Sequence, residues 1–144
     1  MCIRDRTDPG HVPFVVDIEA ATTENATFRT ALWTGSYLQM TVMSIEPGDD
    51  IGLEMHPDVD QFLRVEAGQG KVEMGPAQDD LPFVAEVEDD WAILVPAGQW
   101  HNVTNTGSQP LKVYSIYGPP NHPLGTVHAD KAEAEAAEAA EHGH

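Results

Sequence analysis

Alternation of apolar and polar residues is the clearest pattern along the chain. Between residues 27 and 33, Phe28, Thr30 and Leu32 share one parity, and residues 38–45 form a second run rich in β-forming side chains. A period of two residues is typical of a half-buried β-strand. Further runs predict strands at residues 51–56, 61–66, 71–74, 91–95, 100–104 and 111–117, with a weaker strand at 83–87.

Turn-forming residues separate these runs. They lie at residues 48–50, 57–58, 68–70, 96–98 and 105–107. Short strands divided in this way are typical of a β-sandwich or barrel. The acidic stretch at residues 75–90 contains two prolines, which predicts a surface loop around the weak strand. We therefore predict an all-β, single-domain barrel.

The end of the chain has a different composition. Residues 131–141 consist of Ala, Glu and Lys, and Asp130 and Glu133 have the spacing of a capping box, which predicts a short C-terminal helix. The predicted organisation is a disordered N-terminus at 1–13, the barrel domain at 14–128, and an acidic helix with its tail at 129–144.

Charge narrows the range of partners. The 144 residues suit one domain and carry 7 Lys+Arg against 24 Asp+Glu, for a net charge of −17. Such a chain lacks the basic face that nucleic acids or anionic membranes require, so neither is expected as a partner. No apolar run approaches the roughly 20 residues of a membrane span. The single cysteine, Cys2, cannot form an internal disulfide.

The compartment is left open by the sequence. The first residues lack the apolar core of a signal peptide, which favours the cytoplasm. If residues 1–6 replace a native start, secretion is the alternative.

Side chains with metal-binding chemistry lie in two segments. Glu54 and His56 are two residues apart on a predicted strand and therefore share a face. If residues 57–60 turn the chain back, Gln61 on the returning strand converges with them. His101 follows a separate tight turn. Two imidazoles and a carboxylate on rigid strands form a ligand set suited to transition metals.

The first of these segments resembles the first motif of the cupin superfamily. That motif usually reads G-x5-H-x-H-x4-E-x6-G. Here the glycines are Gly48 and Gly68, and Glu54, His56 and Gln61 stand at the ligand positions. The histidine and glutamate of the motif are thus replaced by Glu54 and Gln61, which keeps the formal charge of the site unchanged.

The second segment resembles the second cupin motif, G-x5-P-x-G-x2-H-x3-N. It runs from Asp90 to Asn105 with His101 at the histidine position. The resemblance covers residues from about 28 to 117. It implies a jelly-roll barrel with a metal inside and, because cupins of this size are usually dimers, a homodimer. Asn105 is expected to support its turn.

The resemblance implies one divalent transition metal per chain. Its ligands would be Glu54, His56 and His101, with Gln61 either as a weak fourth ligand or as a hydrogen-bond partner of Glu54 or of a water molecule. Two histidines and a carboxylate suit iron, whereas the general order of affinity favours copper, and manganese, nickel and zinc are further candidates. The alternative is that His56 and His101 are structural residues of a cupin without metal and that Glu54 is a surface residue.

The expected function is a metal-dependent oxidoreductase that activates O2 or peroxide, with Glu54, His56 and His101 as catalytic residues. Few cations lie near the motifs, which favours a neutral small-molecule or carbohydrate substrate. The sharpest version is copper-dependent oxidative cleavage of a glycan such as cellulose. A sugar isomerase or epimerase and a non-catalytic small-molecule-binding module are the alternatives.

Three further residues are candidates for substrate contact. Trp100 and Tyr117 are aromatic residues on predicted strands, where they could stack on a ring, and His122 lies beside a Pro/Gly linker. His122 and His128 either cover the barrel mouth or, as we favour, lie at the surface.

Overall fold

The computed structural model describes residues 8–142, with side chains described up to residue 137. In chain order the elements are α1 (Ile18–Glu24), β1 (Arg29–Thr34), β2 (Gln39–Ile45), β3 (Asp60–Ala67), β4 (Gln69–Gly75), β5 (Phe83–Glu88), β6 (Ala92–Val95), β7 (Trp100–Asn105), β8 (Leu111–Gly118), β9 (Val127–His128) and α2 (Lys131–His142). Within this part of the chain, no helix is long and apolar enough to cross a membrane.

The strands form two antiparallel sheets. The larger has the order β6-β3-β8-β2-β1-β9, and the smaller has the order β5-β4-β7. Long connections between non-consecutive neighbours, such as β3 beside β8, are typical of a jelly roll. The predicted all-β jelly-roll barrel with a C-terminal helix is confirmed.

The barrel interior is lined by alternate residues of its strands, most regularly on β8. On β8, Leu111, Val113, Ser115 and Tyr117 are buried while the residues between them are partly exposed. The apolar members of this face join a single core with residues of both sheets. Burial of each large aliphatic side chain contributes roughly 1.5–3 kcal/mol. Packing within this core therefore holds the two sheets against each other.

Helix α1 covers part of the outer face of the larger sheet. Asp17 caps it by accepting a hydrogen bond from Ala20 N (3.1 Å), and Ala21 packs with Leu32 and Val42. This helix was not predicted, because a seven-residue segment shows too little of the helical period to be recognised.

The predicted strand at residues 51–56 does not form. Gly52 adopts a φ of 92°, and its N–H bonds to Asp50 Oδ1 (3.0 Å), which interrupts the extended backbone. Two isolated bridges, Asp50 with Thr104 and Glu54 with His101, and a hydrogen bond from Ile51 N to Val103 O (3.0 Å) attach this segment to β7. The segment is nevertheless held beside β7.

Residues 119–128, which we call the strap, cross from β8 to β9 over the barrel. The buried side chain of Gln39 holds the strap in place. Its Nε2 donates to His122 O (2.8 Å), and its Oε1 accepts from Asn121 N (3.0 Å) and His122 N (2.9 Å). Strand β9 then pairs with β1 at Arg29. The strap is therefore part of the folded domain.

Both ends of the described chain pack on the barrel. The predicted cap of α2 is present, since Asp130 Oδ1 accepts from Glu133 N (2.9 Å), and Ala134 joins the core. Asp8 is buried and accepts hydrogen bonds from Thr34 and Gly125. Residues 8–13, predicted to be disordered, thus begin with an anchored residue. Cys2 and the rest of residues 1–7 lie outside the described residues.

Candidate metal centre

Glu54 and His101 face each other directly. Glu54 N donates to His101 O (3.0 Å) and His101 N donates to Glu54 O (2.9 Å), which makes them a hydrogen-bonded antiparallel pair. Side chains of such a pair project to the same side of the backbone. The isolated bridge therefore positions the Glu54 side chain at the site, which the predicted strand at residues 51–56 was expected to do.

The turn before β7 brings His56 to the same place. Gly98 has a φ of 87° and donates its N–H to His56 O (2.8 Å), while Gln99 N bonds to Pro96 O (3.2 Å). This tight turn ends one residue before β7, the strand that carries His101. The same turn therefore holds the backbone of His56 and sets where β7 begins.

The three side chains converge on a common point. Glu54 Oε1 lies 3.3 Å from His56 Nε2 and 3.6 Å from His101 Nε2. One ligand atom from each residue lies within 4.8 Å of the others, and the two imidazole rings are 5.4 Å apart. This arrangement can hold a metal ion through two nitrogens and a carboxylate oxygen.

Both histidines direct a buried nitrogen towards this point. His56 Nε2 and His101 Nε2 have no hydrogen-bond partner of good geometry, although each is at ion-pair distance from Glu54. His101 Nδ1 is 3.2 Å from Gln99 O, so the proton on Nδ1 is donated to that carbonyl. In the neutral ring, this tautomer leaves Nε2 as the acceptor that metal ligation requires.

The electrostatics of the cluster keep Glu54 ionised. Burial would raise the pKa of Glu54, but the imidazoles of His101 and His56 and the charge of Arg29 outweigh it and hold the pKa well below its usual range. A carboxylate that is already deprotonated at neutral pH is ready to bind a cation.

Gln61 approaches from the larger sheet. It lies on β3, opposite Tyr117 of β8, and is 3% exposed. Gln61 Nε2 donates to Ser115 Oγ (3.3 Å), while Gln61 Oε1 is buried without a partner. No hairpin joins it to Glu54, because residues 51–56 attach to β7 of the smaller sheet.

Tyr117 and His122 also lie in the interior. Tyr117 is fully buried, and its ring is 6.1 Å from that of His56 and 5.3 Å from that of His122, edge-on in both cases. Burial, followed by the charge of Arg29, lowers the pKa of His122 to about 3. His122 and His128 are both buried because the strap folds inward, so the favoured surface position for them was wrong.

The structure does not bring Trp100 to this site. Trp100 directly precedes the buried His101 on β7 and is partly exposed, so the alternation of the strand places its side chain on the outer face. It lies opposite Gly75 of β4. Asn105, by contrast, has the predicted supporting role, since its side chain bonds to Ile45 O and Gln109 O and accepts from Gly107 N.

Sequence reasoning missed two features of the interior. Arg29 is 1% exposed and bonds through Nη1 to His128 Nδ1 (3.2 Å). Thr41 and Ser115 place hydroxyl groups on the inner face of β2 and β8. The sequence did contain a sign of the inward hydroxyl groups, because Thr41 and Ser115 stand at inward positions of strands that were correctly predicted.

Comparisons with known proteins agree with this geometry. The cupin domain family matches residues 41–117. The uncharacterized protein YrkC of Bacillus subtilis (strain 168) is 64% identical over 131 residues, which are 91% of this chain and 70% of YrkC. The crystal structure of BH2720 from Bacillus halodurans is 65% identical, covering 90% of this chain and 98% of that one, with a TM-score of 0.89.

A more distant structure shares the fold alone. KdgF from Halomonas sp. is 17% identical with a TM-score of 0.55, and the match covers 65% of this chain and 78% of KdgF. The match to the cupin domain spans more than half of the chain and includes Glu54, His56, Gln61 and His101. The protein therefore belongs to the cupin family.

Proposed function

We propose that the protein is a metal-dependent oxidoreductase with one copper or iron ion per chain. Glu54, His56 and His101 would hold the ion, with Gln61 as a fourth ligand. The observation that carries this proposal is a set of three buried atoms without a hydrogen-bond partner of good geometry among the described residues: His56 Nε2 and His101 Nε2, which face Glu54 Oε1 at 3.3 and 3.6 Å, and Gln61 Oε1. Such atoms are rare in folded proteins unless an ion or water satisfies them.

The donor set suits redox chemistry. When bound, copper or iron would supply the activation of O2 or peroxide that no side chain here can perform. The chain's own part is to hold the ligands and to control access. Glu54 and His56 keep 15% and 12% of their side chains exposed, so we expect small molecules to approach the centre from their side. Tyr117 packs edge-on against His56, and His122 packs edge-on against Tyr117.

The substrate we propose is a neutral small organic molecule or carbohydrate, which Tyr117 and His122 would contact. One observation supports it: both groups are uncharged at neutral pH. The most specific form is copper-dependent oxidative cleavage of a glycan such as cellulose. Copper-loaded protein with a reductant would then release oxidised sugars, and failure to do so would exclude that form.

The decisive experiment is metal analysis of the protein as isolated, combined with EPR spectroscopy. We expect about one copper or iron per chain. We also expect His101→Ala to weaken metal binding by at least ~100-fold. His11→Ala, at an exposed histidine, serves as the control. Wild-type protein whose thermal stability is unchanged by Cu, Fe, Mn, Ni and Zn would contradict the proposal and favour a binding module without metal.

A homodimer stays a prediction. Trp33 and Tyr37 lie at and beside the end of β1, and Tyr37 is largely exposed, which supports a role for this surface in association. Size-exclusion chromatography with light scattering distinguishes a dimer from a monomer.

A further inference from the structure

A surface trough lies at the end of the barrel away from the candidate metal centre. It joins two cavities of about 500 and 310 Å³, which share Gln69 and Glu88 as lining residues. Cavities of this size are typical of ligand sites. Gly68, which also lines the trough, lies beside Leu111 at the start of β8. Tyr117, which packs beside the metal centre, lies roughly 20 Å further along this strand. The trough is therefore separate from the metal centre.

The backbone around the trough is fixed by hydrogen bonds between three turns. The turn between β3 and β4 forms the floor, and the turns that follow β5 and β7 form the two walls. Gly68 N donates to Asp89 Oδ1 (2.9 Å) of one wall, and Gln69 O accepts from Thr106 N (3.2 Å) of the other. Asn105 holds the second wall through the bonds described above. The fold itself therefore sets the shape of the trough.

An indole ring stands at one end of the trough. Trp91 is 51% exposed, and its backbone is held on both sides, since Trp91 N donates to Glu88 O (3.0 Å) and Trp91 O accepts from Val65 N (3.0 Å). Asp90 adopts a φ of 74° and donates its N–H to Val65 O (2.8 Å). Residues other than glycine seldom adopt a positive φ, and those that do cluster at functional sites. The turn thus presents an apolar ring surface on a fixed backbone.

The uncharged polar side chains of the trough both donate and accept hydrogen bonds. They are the amides of Gln69 and Gln109 and the hydroxyl groups of Thr106 and Ser108, all at exposed residues. The hydroxyl groups of a ligand have the same double character. Together with the indole of Trp91, these side chains match a ring compound that has apolar C–H faces and several hydroxyl groups at its edge.

The charged side chains of the trough disfavour an anion. Glu86, Glu88 and Asp89 line it, whereas no lysine or arginine of the described part of the chain does. Carboxylates accept hydrogen bonds from hydroxyl groups and repel a negative ligand. An organic cation would be attracted, but it only donates hydrogen bonds and leaves the amide N–H groups and hydroxyl protons of the trough unmatched. A neutral polyhydroxy ligand can use all of these side chains.

We propose that the trough binds a neutral oligosaccharide. One sugar ring would lie on the indole of Trp91, and hydroxyl groups of the following rings would bond with Gln69, Ser108 and the carboxylates. This inference goes beyond the proposed function, because the trough is separate from the metal centre and binding there needs no metal ion. A site of this kind holds the protein on a glycan without taking part in chemistry.

The first test is calorimetric titration of metal-free protein with cellotetraose, xylotetraose and laminaritetraose. We expect at least one of them to bind with a Kd of about 1 mM or below. Trp91→Ala should weaken that binding by at least about tenfold, because the stacking surface is lost. The matched control is Phe83→Ala, which removes a ring of similar exposure (57%) from the other end of β5 and should leave the affinity unchanged.

A second variant fills the trough and leaves Trp91 in place. A Cβ atom on Gly107 would lie 3.5 Å from Asn105 Oδ1 and 3.6 Å from Gln69 Cβ, which are ordinary contacts. Gly107→Leu should therefore fold, and its melting temperature should stay within about 2 °C of that of the wild type. Because Gly107 lines the larger cavity, the new side chain would occupy it, and we expect glycan binding to fall by at least about tenfold.

NMR spectroscopy locates the bound glycan independently of these variants. In ¹H–¹⁵N spectra of metal-free protein, the largest shift changes should occur at Gln69, Gly107 and Ser108, and none at His101. The variant His101→Ala, which the proposed function predicts to lose the metal, should bind the glycan like the wild type. Failure of the proposed function and failure of glycan binding are therefore distinguishable.

Three results would overturn the assignment of the trough. The first is that none of the three tetrasaccharides binds at ~10 mM. The second is equal glycan affinity in Trp91→Ala, Gly107→Leu and Phe83→Ala. The third is that spermine binds more tightly than each glycan and loses its affinity in about 0.5 M NaCl, which would identify the trough as an acidic surface for cations.

Discussion

The inner face of the larger sheet has two halves that differ in chemistry although they share the same strands. In one half, Val113 of β8 lies between Met43 and Val65. In the other, Tyr117 lies between Gln39 and Gln61. We call these the apolar half and the polar half.

Burial does not distinguish the halves, but hydrogen bonding does. Val113 and Tyr117 are both fully buried. Met43, Val65 and Val113 of the apolar half have no side-chain group that donates a hydrogen bond, whereas the polar half carries the hydroxyls of Thr41 and Tyr117 and the amide of Gln61, whose Oε1 has no partner among the described residues. Buried unpaired polar atoms reduce stability, so the polar half weakens the barrel unless it is occupied.

The difference separates two tasks within one interior. The apolar half holds the sheets together and can be optimised for packing alone. The polar half adjoins Glu54, His56 and His101, the cluster that could hold a metal ion. Substitutions in the two halves should therefore have opposite profiles of stability and binding.

The largest effect is expected from Leu111→Ala in the apolar half. Leu111 is fully buried in the core, and truncation of such a side chain costs about 2–5 kcal/mol. We expect the free energy of unfolding to fall by that amount in urea denaturation. Metal affinity of the folded protein should stay unchanged. Leu94→Ala, at a leucine on β6 that is 68% exposed, should change stability by less than about 0.5 kcal/mol.

A loss of metal affinity in Leu111→Ala, beyond what its unfolded fraction explains, would contradict the separation of the two halves. It would mean that packing in the apolar half also positions the ligands.

Most strands could be predicted from the sequence because their alternation is a local property. The strand at residues 111–117 was expected and is found as β8 at Leu111–Gly118. The segment at residues 51–56 has equally β-like composition, but the positive φ of Gly52 and its bond to Asp50 prevent a regular strand. A local pattern cannot show which backbone conformation a glycine adopts.

The candidate metal ligands were accessible to sequence reasoning because the spacing of two motifs carries them. Glu54, His56 and His101 were named and do converge. Arg29 and the burial of His122 were not foreseen, because both depend on the strap folding over the barrel and pairing with β1. The strap is rich in proline and has no periodicity from which its path could be inferred.

An intermediate effect is expected from Gln61→Glu in the polar half. The substitution buries a second carboxylate where Gln61 is 3% exposed, so metal-free protein should lose about 1–3 kcal/mol of stability at neutral pH. If Gln61 Oε1 is a metal ligand, the added charge should strengthen metal binding by about tenfold. Calorimetric titration with Cu(II) and thermal unfolding measure the two effects.

The matched control is Gln69→Glu, which adds the same charge at an exposed position of β4. This substitution should change neither the stability of the metal-free protein nor its affinity for Cu(II). Unchanged or weaker metal binding by Gln61→Glu would show that Gln61 supports its neighbours through hydrogen bonds and does not ligate the ion.

The smallest effect concerns the pH dependence of stability at the edge of the polar half. His122 has a pKa of about 3 in the folded protein, chiefly because it is buried, whereas an unfolded histidine titrates near 6.5. As the pH falls, the unfolded chain therefore binds this proton first. The contribution of His122 to stability is fully present above pH 6.5 and is lost progressively between about pH 6.5 and 3.

Replacing His122 should flatten this dependence. For metal-free His122→Asn, we expect the loss of stability between pH 6.5 and 5 to be smaller than in the wild type by about 1–2 kcal/mol, measured by urea denaturation. His11→Asn, at an exposed histidine, should retain the wild-type dependence. If stability depended on pH equally in the wild type, His122→Asn and His11→Asn, the prediction would be wrong. Such a result would mean that the strap opens readily enough for His122 to be protonated in the folded protein, and that solvent reaches the polar half more easily than the apolar half.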